Sequence, residues 1–167
     1  MSGRYKAEQD IYDLMKDVVA NFHPDLALVV DEIAIVVKEK ASKAGGKPVL
    51  GKASKASELF GVLTDSNYKF ILEIAGDEWL NLTNRQRKAL LDSLLCACRA
   101  EEDPEDGSIK CQIAPPDVSY FYDELDRWGD WKPRPESEGP ESPLVRIFGK
   151  KAGKDLDAEI AGDSSED

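Results

Sequence analysis

The sequence predicts an α+β domain, a small mixed or antiparallel sheet packed with two or three helices, followed by a disordered acidic C-terminal tail. Three observations predict it. Ile11, Leu14, Met15, Val18, Val19 and Phe22 recur at three- and four-residue spacing, as on the buried stripe of a helix. Tyr68, Phe70, Leu72 and Ile74 alternate with Lys69, Ile71, Glu73 and Ala75, the period of a half-buried strand. From Pro133 onward the composition turns to Pro, Glu, Ser, Gly and Asp, with too little apolar area to offset the entropy of ordering.

Taken in order, the first helix covers Ala7 to Phe22 and stops at His23-Pro24, because the residue before a proline is pushed out of the helical region. Leu26 to Val37 is a near-continuous Val- and Ile-rich run interrupted by Asp31-Glu32. It reads as a buried strand or a second helix, with the strand preferred. Ala44-Gly45-Gly46-Lys47-Pro48 is turn chemistry, after which Val49 to Lys52 returns as a short antiparallel strand. Thr83 and Gln86 have capping-box spacing ahead of an amphipathic helix whose stripe is Leu90, Leu91, Leu94, Leu95 and Cys98, stopped at Asp103-Pro104 and Gly107. Ser108 to Ala114 reads as one more strand. Asp117 then caps a last helix whose Val118, Phe121, Tyr122, Leu125 and Trp128 are expected to face the core.

With 167 residues, of which 41% are hydrophobic, the chain can bury one core, so one domain over 1–132 and a tail over 133–167 are expected. Within the tail, Leu144, Val145, Arg146, Ile147 and Phe148 form an apolar island of the kind that docks on a partner. No run approaches the roughly 20 apolar residues that span a bilayer, and the charged start is unlike a signal core, so a cytoplasmic location is expected. The cysteines, Cys96, Cys98 and Cys111, are expected as reduced thiols, the first two as small core residues. A net charge of -11 opposes general attraction to phosphate backbones or anionic membranes. The exception is the lysine-rich segment 38–55, with Lys38, Lys40, Lys43, Lys47, Lys52 and Lys55; direct nucleic-acid binding through it is the weaker reading beside a solvated hairpin. The acidic stretches Glu101 to Asp106 and Asp117 to Asp130 could instead occupy a basic groove on a protein that handles nucleic acid.

The segment from Tyr68 to Arg99, with Glu78-Trp79 and then Thr83-Asn84-Arg85-Gln86-Arg87-Lys88-Ala89-Leu90-Leu91-Asp92, resembles the phage metallopeptidase family. The likeness extends back through Gly51-Lys52-Ala53-Ser54-Lys55 and forward through Asp117-Val118, Phe121 and Arg127-Trp128-Gly129, covering most of residues 24–131. It implies a zincin-like fold in which this helix carries HELCH, a form of HExxH. That chemistry needs two histidines one turn apart to share a zinc ion, and a glutamate beside the first to take a proton from metal-bound water. On this resemblance the first histidine position is Ser93, the glutamate position Leu94 and the second histidine position Ala97, while the place of a further histidine ligand is Pro116. Serine is a poor zinc ligand at neutral pH, and leucine and alanine offer no lone pair.

The expectation is therefore a degenerate, non-catalytic protein in the cytoplasm of the phage's host, with no cofactor, no bound metal and no metal-holding pair of side chains one turn apart on the central helix. It would bind and inhibit or redirect a host protein, for instance a basic nucleic-acid-handling enzyme of host defence, without membrane contact. The alternative in the enzyme class is a metal-dependent hydrolase with a relocated site drawn from Cys98, Cys111, His23 or Asp117, a scattered set without CxxC spacing. His23, the lone histidine, otherwise reads as a helix-end residue.

Overall fold

A computed structural model describes residues 3–148, and the chain divides into two compact units between Pro115 and Pro116. The division falls before the boundary expected at 132. In the first unit a four-stranded sheet has the order β1-β2-β6-β5, with β1 at Arg4–Lys6, β2 at Ile33–Lys38, β5 at Gly51–Lys55 and β6 at Phe70–Ala75. The outer strands pair antiparallel, β1 to β2 and β5 to β6, while the two central strands run parallel with Ile33 opposite Phe70 and Val37 opposite Ile74. The fold is thus α+β with a mixed sheet, as expected.

Central position explains the pattern of β2. Ile33, Ala34, Ile35 and Val37 are all buried, so both faces of the strand are covered and alternation disappears. The first part of the same apolar run is not strand: Pro24–Glu32 winds as 3-10 helix, turning Leu26 and Val29 inward at its three-residue repeat. The charged pair Asp31-Glu32 marks the change of element. Between β2 and β6 the chain makes a two-residue hairpin, β3 at Lys43–Ala44 with β4 at Lys47–Pro48, around Gly45 and Gly46, whose φ angles of +57° and +80° suit glycine. The strand after the turn, β5, pairs with β6 and not with β2, which corrects the expected return.

Helix α1 at Gln9–Phe22 and helix α4 at Asn84–Cys96 pack on this sheet. Met15, Leu26, Ile35, Phe70, Leu72, Ile74, Leu91 and Leu95 are fully buried in one core. Thr83 caps α4 as its spacing predicts: its hydroxyl accepts from Gln86 N–H at 3.2 Å, and Gln86 Oε1 accepts from Thr83 N–H at 2.9 Å. Two shorter helices, α2 at Glu58–Thr64 and α3 at Gly76–Asn81, flank β6 in the chain. Phe22, expected on the buried stripe of α1, is 68% exposed.

Helix α4 ends at Cys96, earlier than expected, and a hairpin follows, β7 at Cys98–Glu102 with β8 at Ile109–Ile113. The residues read as a helix stop, Asp103-Pro104 and Gly107, make the turn of that hairpin. Asp103 and Asp106 carboxylates accept from Glu105 and Ser108 N–H, and Gly107 has φ +73°.

The second unit, taken by itself, holds α5 at Tyr122–Trp128, a 3-10 turn at Glu136–Glu138 and α6 at Pro143–Phe148. No residue of α5 is buried, so the expectation that Phe121, Tyr122 and Trp128 face a core is corrected: they are 81%, 80% and 64% exposed. Of the expected tail, residues 133–148 are among those described. The Asp130 carboxylate accepts from the Tyr120 and Ser142 hydroxyls and from Arg134 Nη1 at 3.3 Å, tying residues 130–142 together. The remainder of that tail lies outside the described residues.

Candidate functional site

His23 is fixed by the way α1 ends. Pro24 ends the α-helix and opens the 3-10 helix, and the His23 N–H closes α1 on Val19 O at 2.9 Å. The imidazole is buried and turns towards α4, where its Nε2 lies 2.6 Å from Asp92 Oδ1. One turn further along α4 stands Cys96, and a ligand atom of each of His23, Asp92 and Cys96 lies within 4.8 Å of the others. Positions four apart on a helix differ by only about 40° around its axis, so Asp92 and Cys96 share a face.

Against the expectation of no metal-holding pair one turn apart on the central helix, α4 brings two potential ligand side chains together on one face. The pair exists one residue before the Ser93 and Ala97 positions. It lies outside the motif register, and nothing in the sequence brings residue 23 against residue 92. The i, i+4 spacing of Asp92 and Cys96 was the available signal.

The other sequence candidates fall elsewhere. Ser93 is exposed, Leu94 is buried in the core and Ala97 is half-buried. Pro116 and Asp117 are exposed and belong to the second unit. Cys96, expected in the core, is exposed, and Cys98, expected on the helix, lies on β7. The set Cys98, Cys111 and His23 is not brought together; the thiol that joins His23 is Cys96. Burial pushes the Cys98 thiol up to about 12, helped by the neighbouring Cys111, and burial also raises Cys111. Both are poor nucleophiles near neutrality.

Lys43 and Lys47 lie exposed on the β3–β4 hairpin and Lys52 and Lys55 exposed on β5. Of the apolar island, Leu144 and Val145 are half-buried in α6, whereas Arg146, Ile147 and Phe148 are exposed. No helix of the described residues is long and apolar enough to cross a membrane.

His23, Asp92 and Cys96 offer an imidazole nitrogen, a carboxylate oxygen and a sulfur, a donor set suited to zinc and its neighbours and poorly suited to magnesium or calcium. A metallopeptidase's metal would fit these residues here, not Ser93 and Ala97. No curated protein and no solved structure matches the chain. The family described as "Putative phage metallopeptidase" matches residues 3–137, most of the sequence. The chain belongs to that phage metallopeptidase family.

Proposed function

We propose that this member of the family is not a peptidase and works by binding a protein of the phage's host. The observation that carries the reading is Leu94. On the family's motif it stands where the general base should be, yet its side chain is buried and packed so close to β5 that a Cβ on Gly51 would lie 3.0 Å from Leu94 Cδ1. A residue committed to the core offers no group to take a proton from water, and Ser93 and Ala97 supply no imidazole. With His23, Asp92 and Cys96 all used as ligands, that cluster keeps no member to act as base.

The binding surface is the acidic and aromatic exterior of the second unit. Phe121, Tyr122 and Trp128 are exposed beside Asp123 and Asp126, Trp131 is 53% exposed, and Ile147 and Phe148 are each 68% exposed on α6. Exposed aromatics among carboxylates match a partner with apolar pockets in a basic surface, as on a nucleic-acid-handling enzyme.

The test has two arms. Zinc-supplemented protein is assayed on a broad peptide library, with no cleavage expected; cleavage abolished by Cys96→Ala would defeat the reading. A pull-down from bacterial lysate is run with the wild type and with Phe121→Ala/Trp128→Ala. The expected result is a basic protein released by rising salt and lost with the double variant, and retention unchanged by that variant counts against this surface.

A further inference from the structure

We propose that His23, Asp92 and Cys96 form a relocated cation site for zinc or a similar borderline-soft divalent metal, one residue away from the family's motif register on α4. The site draws on two elements. Asp92 and Cys96 come from one face of α4, and His23 comes from the capped end of α1, where Pro24 and the bond to Val19 O hold it in place. Moving from the Ser93 and Ala97 positions back by one residue turns the ligand face by about 100° around the helix, away from the motif face and towards α1.

The geometry is that of a site waiting to open slightly. His23 Nε2 and Asp92 Oδ1 are 2.6 Å apart, whereas two such ligands on one tetrahedral zinc stand about 3.3 Å apart, given bonds of about 2.0–2.1 Å. Binding replaces that hydrogen bond with two coordinate bonds. The Cys96 thiol gives its proton to solvent and donates a sulfur pair, and His23 takes the tautomer that leaves Nε2 a lone pair. The half-exposed Asp92 and exposed Cys96 place the fourth position at the protein surface, within reach of water or a partner's side chain.

The competing account is a hydrogen bond that fastens α1 to α4, with Cys96 nearby by chance. Zinc and cobalt binding separate the two. Titration of the metal-stripped full chain with cobalt should give one ion per chain and a thiolate-to-cobalt charge-transfer band in the near ultraviolet. The band should vanish in Cys96→Ser, and zinc affinity measured against a chelating dye should fall at least 100-fold in Cys96→Ser and in His23→Gln, with Ser93→Ala unchanged. Cys96 is exposed, so its serine variant keeps the fold, and circular dichroism confirms this for His23→Gln. No saturable binding, or binding equal in the wild type and Cys96→Ser, overturns the site. Peptide cleavage by the zinc-loaded protein would instead overturn the non-hydrolytic reading and leave the metal site standing.

Discussion

His23 Nε2 and Asp92 Oδ1, 69 positions apart in the chain, meet at 2.6 Å and join the end of α1 to the middle of α4. The two sides are unequally buried, with the histidine side chain 10% exposed and the aspartate 42%. Removing Asp92 therefore strands a buried imidazole, while removing His23 leaves a carboxylate that water can reach. In metal-free protein, Asp92→Ala should cost about 1–2 kcal/mol and His23→Ala a comparable amount from lost packing, with a coupling of about 1 kcal/mol between them. Denaturant unfolding of the two single variants and the double variant measures it. Strict additivity would mean that the contact contributes nothing.

The thiols should separate by reactivity. Cys96 is exposed, whereas burial and the adjacent Cys111 raise the Cys98 thiol to about 12. Since the thiolate is the attacking form, an aromatic disulfide reagent at neutral pH should label Cys96 first, with Cys98 and Cys111 reacting only as the protein unfolds. Mass mapping of labelled peptides against time decides it. Labelling of Cys98 as fast as Cys96 would contradict the burial of β7 against the core.

Gly51 has a packing reason to lack a side chain. A Cβ there would lie 2.9 Å from the Glu73 carbonyl oxygen and 3.0 Å from Leu94 Cδ1. The leucine methyl can give way, but the carbonyl belongs to β6, whose pairing with β5 places Gly51 opposite Ile74. Gly51→Ala should destabilise by about 1–3 kcal/mol, read as a lowered denaturation midpoint. A variant as stable as the wild type would show that β5 can shift against the Glu73 carbonyl of β6 without loss.

What could be read from the sequence was whatever local chemistry dictates. The α1 stripe, the α4 capping box at Thr83, the β6 alternation and the Gly45-Gly46 turn all depend on neighbours within a few residues, and all appear. The misreadings came where a local signal was shared by two outcomes. Asp103-Pro104 and Gly107 can stop a helix or turn a hairpin, and only the pairing of Cys98 with Ile113 selects the hairpin. Phe121 and Trp128 have the periodicity of a buried stripe, yet periodicity does not state that a core exists for them to meet. The site itself was half legible. Asp92 and Cys96 stand at helical ligand spacing, but the third member arrives from α1 through tertiary packing, which no local pattern encodes.

Asp130 supplies a pH test of the second unit. Burial by itself raises its carboxyl, but hydrogen bonds from Ser142 and Tyr120 and the charge of Arg134 outweigh that and hold it below the ordinary aspartate range. The folded form therefore binds fewer protons than the unfolded form, so the contribution is complete above the ordinary value of about 4 and drains away as pH falls through the lowered folded value. Asp130→Asn removes this charge-dependent contribution while keeping a similar shape. The stability difference between wild type and Asp130→Asn should be constant above pH about 5 and shrink as pH falls below about 4. Fluorescence of Trp131, whose indole N–H donates to Glu124 Oε2 at 3.2 Å in the same unit, can follow the transition locally. Equal stability of the two proteins above pH about 5 would show that Asp130 acts by shape alone and that its charge does not order residues 130–142.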